Sequence, residues 1–297
     1  MSTPENIQLI KIEQEMAGFN NFFGCWVCQG KYNIIIDAGP ANSSDKLIDS
    51  LREIGINRLD YIFLTHIHID HCGGLSKILE HFPEAKVICH KKGIKHLADP
   101  SNLWKGSLGV LGEIAESYGQ PEPVDTERLI PHNLCNLENL IVLETPGHAV
   151  HHLSFSYNNR LFPGEAGGNL FIINGLEYLR PATPPKFIFD VCMESVDKLL
   201  ALENQPVFYV HCGFAENSHI MLNRFRNQLI LWKEIISKEI AQCCESIVER
   251  CVKVLLLNDP NLAGFNSFDL HTQKREKFFI ANSIKGFTNY LAPELKL

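Results

Sequence analysis

Short runs of β-branched and aromatic residues recur through the first two thirds of the chain. IQLIKI, FFGCWVC and YNIIID are separated by glycine and asparagine, as strands joined by turns usually are. LDYIFLT predicts a buried strand, and AKVICH predicts a further one. A second series of predicted strands comprises NLIVLET, HHLSFSY, NRLFPG and PVFYVH. The pattern therefore predicts two groups of strands.

Helical periodicity separates these strands, because apolar residues there recur at steps of three and four. The steps predict one helix through Leu47, Leu51 and Ile54 and another opened by Gly73-Gly74. Residues 91–118 form a longer helical segment, and a further helix is predicted from about 191 to 202. Strands and helices alternate in two similar halves, which favours a layered α/β body.

The last third of the chain is helical. One apolar helix face is formed by Phe225, Leu229, Trp232, Ile236 and Ile240. A second helical pattern spans about 274–290, and NDPNLAGFNS between the two predicts a linker loop. We therefore expect an α/β domain over 1–215 and a helical extension over 216–297. The apolar face must be buried, either against the domain or in a homodimer.

Composition and charge narrow the class of protein. The chain has 297 residues, of which 45% are hydrophobic, so it can bury a sizeable core. A net charge of -7 without a long basic run disfavours nucleic acid and an anionic membrane as partners. The start MSTPENIQLIKI does not resemble a signal peptide, and no stretch reaches the ~18 apolar residues of a membrane-spanning helix. We expect a cytoplasmic protein.

Ten cysteines are present, and in a cytoplasmic protein most are reduced and packed. Cys25 and Cys28 have the CxxC spacing of redox and metal sites. They lie in a predicted strand, where residues three apart point to opposite faces, and the βα context of a redox CxxC is missing. We expect both to pack, together with Cys243 and Cys244 in a predicted helix.

The strongest chemical signal is the run HIHIDH, which directly follows the predicted strand LDYIFLT. His66 and His68 point the same way in an extended segment, so both imidazoles can reach one metal. The chain then turns into a helix, and Asp70 and His71 point to a different place. One short loop can thus serve two adjacent cations. Imidazole nitrogen and carboxylate oxygen suit zinc and also iron or manganese.

Other strand ends supply the remaining candidates. His148 follows a strand through Pro146-Gly147, Glu165 follows RLFPG, and His211 ends PVFYV. Asp37 ends NIIID and could be a ligand or the acceptor that orients a ligand histidine. One of His151 and His152 is a candidate for a similar orienting role or for contact with the substrate. The other histidines, among them His90 and His132, are expected at the surface or satisfied in the core.

The order of these residues resembles the motif series of the metallo-β-lactamase superfamily over residues 7 to about 214. The resemblance implies a four-layer αββα sandwich with the site at one edge of its two sheets. It implies that His66, His68 and His148 bind one metal. It implies that Asp70, His71 and His211 bind a second, with Glu165 bridging the two.

The superfamily usually has aspartate where this chain has Glu165. The extra methylene moves the carboxylate outward. On an unchanged backbone, the glutamate would fold back or bind a single ion. A displaced loop would instead leave an ordinary bridged pair.

The resemblance implies a metal-dependent hydrolase in which a metal-bound hydroxide attacks a small ester, thioester or lactone, as in glyoxalase II and lactonase relatives. Two divalent cations, expected to be zinc, would lower the pKa of water from about 15.7 toward ~7. Asp70 would also orient the nucleophile or accept its proton. The alternatives are an oxidoreductase or dioxygenase with one or two irons on the same fold, and a non-catalytic ligand-binding protein.

Overall fold

The computed structural model describes residues 6–173, 175–242 and 245–295. The chain divides into two compact units. The first comprises Met1–Glu144 and Leu153–Asn158, and the second comprises Thr145–His152 and Asn159–Leu297. The expectation for Cys243 and Cys244 lies outside the described residues. The domain boundary near residue 215 stays a prediction.

A six-stranded sheet forms the centre of the first unit, as far as its residues are described. In sheet order its strands are β1 (Ile7–Ile12), β2 (Phe23–Cys28), β3 (Ile34–Ile36), β4 (Tyr61–Phe63), β5 (Lys86–Cys89) and β6 (Leu129–Pro131). β1, β2 and β3 are antiparallel, whereas β3 to β6 run parallel. Parallel strands end at the same edge, where ligands of α/β sheets usually bind. This edge carries Asp37 and the run from His66 to His71.

Helices and a separate strand pair complete the first unit. The helices are α1 (Ser44–Glu53), α2 (Ile69–Cys72), α3 (Leu75–His81), α4 (Ile94–Ala98), α5 (Ser101–Leu111) and α6 (Glu113–Tyr118). The last three confirm the helical segment predicted over 91–118. β7 (Leu140–Glu144) and β8 (Leu153–Tyr157) pair antiparallel. Phe155 of β8 stacks on Phe63 of β4 at 4.9 Å between ring centroids, within the buried core.

The second unit combines short strands with long helices. Its strands are β9 (Leu161–Phe162), β10 (Asn169–Ile173), β11 (Leu176–Arg180), β12 (Val207–Phe208) and β13 (Phe214–Ala215). β12 pairs with β9 and β13, and β10 pairs with β11. Its helices are α7 (Phe189–Leu200), α8 (Ser218–Gln242), α9 (Ile247–Asn258) and α10 (Leu270–Leu291).

The C-terminal region differs from its prediction in two respects. The predicted linker loop is a 3₁₀ segment, Pro260–Ser267, with Pro260 in its first turn and the Asp259 side chain accepting a hydrogen bond from the backbone N–H of Asn261. Helix α9 was not predicted. The apolar face of α8 is buried as expected from Phe225 to Ile236, whereas Ile240 is half-buried. The described chain buries most of this face by itself, without a second copy.

The cysteines of β2 are packed, as the sequence predicts. Cys25 and Cys28 are both buried in β2, and Cys25 Sγ donates to the carbonyl of Asp37 at 3.5 Å. Burial, reinforced by the Asp37 carboxylate, raises the pKa of the Cys25 thiol well above its ordinary value.

Among the described residues, each helix is too short or too polar to cross a membrane.

We expect Cys25 and Cys192 to resist alkylation by iodoacetamide at pH 8 in the native protein. Burial raises the pKa of Cys192 to about 12, and the thiolate is the reactive form. Peptide mass spectrometry should find both thiols unmodified before denaturation and modified after it. Rapid native alkylation of Cys25, or a Cys25–Cys28 disulfide, would contradict the packed assignment.

Candidate metal centre

His66 and His68 follow β4, and their imidazoles meet at the edge of the sheet. His68 has an extended backbone, with φ -65° and ψ 149°, so alternation brings the two rings to one side. Nε2 of His66 lies 3.0 Å from Nδ1 of His68. Two ligands held ~2.0–2.1 Å from one tetrahedral ion lie about 3.3 Å apart. The pair is therefore spaced like two ligands of one cation.

Asp37 orients two histidines of this edge. It follows β3 with a φ of 60°, a conformation that Asp tolerates better than most residues. Its carboxylate accepts hydrogen bonds from the backbone N–H and hydroxyl of Thr65, at 2.7 and 2.8 Å, and from Nδ1 of His71, at 2.8 Å. The Thr65 hydroxyl can then accept from Nδ1 of His66, 3.0 Å away. This network favours a proton on Nδ1 in both histidines, which in the neutral ring leaves the lone pair on Nε2 as the one a metal would use.

The helical turn α2 holds Asp70 and His71 close together. Nε2 of His71 lies 3.4 Å from Oδ2 of Asp70. The turn packs so tightly that a Cβ at Gly73 would lie 2.6 Å from the amide nitrogen of Ala41, so only glycine fits there. Burial acts to lower the pKa of His71, but the Asp70 and Asp37 carboxylates outweigh it and hold the pKa well above its ordinary value. The same two carboxylates favour a metal cation beside His71.

In the second unit, His148 is fixed through its backbone and its ring. Gly147 has a φ of 147° and packs against Cys192, where a Cβ would lie 3.0 Å from its Cα. Nδ1 of His148 donates to the carbonyl of Ala182 at 2.9 Å, so in the neutral ring Nε2 is an acceptor. Nε2 nevertheless lies 2.7 Å from Oε2 of Glu165. Two acceptors at this distance need a proton or a cation shared between them.

Glu165 reaches two histidines with its two carboxylate oxygens. Oε2 faces His148, and Oε1 lies 3.3 Å from Nε2 of His211. Asn169 Nδ2 donates to Oε1 at 2.9 Å, and the Glu165 amide donates to Nε2 of His152 at 3.0 Å. The two carboxylate oxygens of Glu165 therefore lie near two different histidine rings.

Charge fixes the ionisation state of this glutamate. Burial by itself raises the pKa of Glu165, but His148 and His211 outweigh burial and hold the pKa well below its ordinary value. Glu165 is 7% exposed. A buried carboxylate needs cationic partners, and divalent cations would fill that need more strongly than two imidazolium rings.

The backbone around His211 is equally constrained. Cys212 has a φ of 69°, and a Cβ at Gly213 would lie 2.7 Å from Cβ of Leu170. This close packing explains the glycine of the His211-x-Gly213 motif. The His211 ring lies 6.3 Å from that of Phe171, which gives it an apolar neighbour in β10.

A second group of potential ligands lies in the first unit, formed by His90, His132 and Glu144. The two rings stack at 5.0 Å, and Oε1 of Glu144 is 3.4 and 3.1 Å from their Nε2 atoms. However, the amide of Lys92 donates to Nδ1 of His90 at 3.0 Å. In the neutral ring this leaves the proton on Nε2, the atom that faces Glu144. We therefore interpret the group as a carboxylate that lies against two histidine rings.

Sequence reasoning overlooked three groups that orient candidate ligands. Thr65 and Asn169 have no distinctive spacing, although Thr65 could have been found by asking what holds Nδ1 of His66. The carbonyl of Ala182 acts through the main chain and leaves no side-chain pattern. Of the two histidines proposed for an orienting role, His152 contacts Glu165.

Comparison with known proteins places the chain in a family. The family model described as the metallo-beta-lactamase superfamily matches residues 25–211. A metallo-beta-lactamase fold-containing protein of Sulfurisphaera tokodaii is 30% identical over 77% of this chain and 87% of its own length. The crystal structure of an archaeal superfamily protein from Sulfolobus tokodaii has a TM-score of 0.60 at 29% identity, covering 74% of this chain and 85% of that one. A hydroxyacylglutathione hydrolase of Photobacterium profundum is 26% identical over 66% of this chain and 63% of its own length.

The chain belongs to the metallo-β-lactamase superfamily. Its α/β fold class, with an added C-terminal helical region, confirms the prediction from the sequence.

Replacing Asp37 by asparagine should weaken zinc binding by about 10- to 100-fold, the usual effect of losing an orienting partner. Asparagine tolerates positive φ, so the backbone should be retained, but its amide cannot accept from Thr65 and His71 as the carboxylate does. Chelator competition measures the affinity. The matched control is Asp60→Asn. Asp60 directly precedes β4, and its carboxylate accepts a hydrogen bond from the backbone N–H of Asn33. Equal affinities in the two variants would contradict the orienting role.

Proposed function

We propose that this protein is a metal-dependent hydrolase with two divalent cations, zinc in the first instance. The proposed ligands of one ion are His66, His68 and His148. Those of the other are Asp70, His71 and His211, with Glu165 bridging. Superfamily membership supports a pair of metal ions. The spacing of the candidate ligand atoms within each unit agrees with this proposal.

The observation that carries this proposal is the pair formed by His148 and Glu165. The Ala182 carbonyl retains the ring proton on Nδ1, so the Nε2 lone pair is directed at a carboxylate oxygen. Either a second ring proton, which makes His148 an imidazolium, or a divalent cation bonded to both atoms satisfies this pair, and we favour the cation because it neutralises a buried carboxylate more strongly. A metal-binding pair has the arrangement seen here, with a carbonyl behind the histidine.

Two bound cations would supply a nucleophile of low pKa and polarise a carbonyl. The chain's own residues would then position the attacking water and accept its proton. Asp70 is half-buried on the turn α2, where its carboxylate can orient a water or accept its proton. Asn169 would keep Glu165 aligned through its 2.9 Å hydrogen bond.

The proposed substrates are small esters, thioesters or lactones. The name of the Photobacterium relative, hydroxyacylglutathione hydrolase, denotes hydrolysis of an acyl derivative of glutathione. Metal analysis followed by a panel of ester, thioester, lactone and phosphodiester substrates tests this proposal. Protein containing iron that consumes oxygen and hydrolyses none of the panel would favour the dioxygenase alternative.

His148→Ala should lower both metal content and hydrolysis. The variant lacks one ligand, so we expect at least one of two equivalents of zinc to be lost and the rate to fall by orders of magnitude. Plasma emission spectrometry measures the zinc content, and an assay with the hydrolysed substrate measures the rate. His271→Ala, at an exposed position of α10, is the control. A His148→Ala protein with two zinc ions and an unchanged rate would refute the assignment.

Glu165→Asp should weaken the binding of at least one cation, because one methylene fewer draws the carboxylate back from His148 and His211 on an unchanged backbone. Glu165→Gln keeps the length but removes the charge, and should weaken both sites. Stepwise zinc titration separates the two variants, with Glu203→Asp, at an exposed position, as the control. Two equally tight sites in Glu165→Asp would show that the backbone absorbs the change in length.

A further inference from the structure

The segment 180–184 leaves β11 and is held by the C-terminal helix α10. Ser283 Oγ donates to the carbonyl of Pro181 at 3.1 Å and accepts from the amide of Thr183 at 3.3 Å. The Thr183 hydroxyl donates to the carbonyl of Ser283 at 3.2 Å. All of these atoms belong to buried contacts. Ser283 therefore binds the segment on both sides of Ala182.

Gly286, one turn further along α10, lets the helix approach this segment at van der Waals distance. A Cβ there would lie 2.6 Å from the carbonyl oxygen of Pro184 and would also collide with that of Thr183. Because these are backbone atoms, the clash could be relieved only by moving the segment or the helix. Hydrogen bonds from Ser283 and close packing at Gly286 thus both hold α10 against segment 180–184.

A buried ion pair ties the start of the same segment to α10. Arg180 Nε donates to Oε2 of Glu276 at 2.5 Å, and both residues are at most 2% exposed. Arg180 is the register partner of Asn169 across β10 and β11. Directly opposed residues share one face of a strand pair, so the Arg180 side chain lies beside that of Asn169. Asn169 in turn donates to Glu165.

The held segment thus touches both ends of the His148–Glu165 pair. Its middle residue, Ala182, supplies the carbonyl that accepts from Nδ1 of His148. Its first residue, Arg180, neighbours the amide that aligns Glu165. A shift of the segment by a fraction of an ångström would lengthen the His148 hydrogen bond and rotate its ring.

We propose that α10 is the positioning element of the metal centre, acting through Ser283, Gly286 and Glu276 on segment 180–184. This inference rests on the proposed function, since it assigns a role toward the ions held by His148 and Glu165. It gives the C-terminal extension a task in metal binding.

The test compares two buried hydroxyls on the same helix. Ser283→Ala removes the two bonds of Oγ, to the Pro181 carbonyl and the Thr183 amide, and keeps the bond from the Thr183 hydroxyl to the main-chain carbonyl of residue 283. Thr288→Val is the matched control, because the Thr288 hydroxyl bonds only to the Ile284 carbonyl of its own helix among the hydrogen bonds described. Zinc affinity by chelator competition and the absorption spectrum of the cobalt-substituted protein are measured for both, together with the thermal midpoint.

We expect Ser283→Ala to weaken zinc binding by about 10-fold and to change the cobalt spectrum, whereas Thr288→Val leaves both unchanged at a similar thermal midpoint. Gly286→Ala should act in the same direction and more strongly. Equal affinities and spectra for Ser283→Ala and Thr288→Val would overturn the inference while leaving the metal centre intact. Failure of the unmodified protein to bind zinc or cobalt would instead overturn the proposed function.

Discussion

A neutral imidazole has one proton, and the nitrogen that keeps it cannot bind a metal. A histidine that uses Nε2 as its ligand atom is well oriented when its Nδ1–H donates to a fixed acceptor, as in His66, His71 and His148. In the first unit the acceptors are Thr65 and Asp37, and in the second the carbonyl of Ala182 serves His148. Much of the surrounding structure holds these acceptors still. The Asp37 carboxylate is carried by a left-handed backbone, and we infer that α10 holds the segment that contains Ala182.

The secondary structure supplies the positions that such a network needs. In the first unit the parallel strands β3 and β4 end at one edge, so Asp37 and His66 emerge side by side without a long connection. In the second unit close backbone contacts at Gly147 and Gly213 fix the histidines that neighbour them. Rigid elements of this kind hold a site more precisely than free loops do. Glu165 fits this scheme, since its longer side chain reaches both histidines of its unit.

The candidate metal ligands could be picked out from the sequence because these residue types are rare and closely spaced. His66-x-His68-x-Asp70-His71 after an apolar run specifies a site locally, and long apolar periodicity specified α8. The missed features depend on tertiary contacts instead. Helix α9 and the 3₁₀ segment at Pro260 form where the sequence pattern is weak. The role of Ala182 is carried by a main-chain atom, and that of Ser283 depends on a partner about a hundred residues away.

The most direct test of the account is anomalous diffraction from crystals of the zinc-loaded protein, with data on both sides of the zinc absorption edge. The account predicts two peaks. One should be bonded to His66, His68 and His148, the other to Asp70, His71 and His211, and Glu165 should contribute an oxygen to each. A single peak, a peak at His90 and His132, or a Glu165 carboxylate turned away from both ions would contradict it.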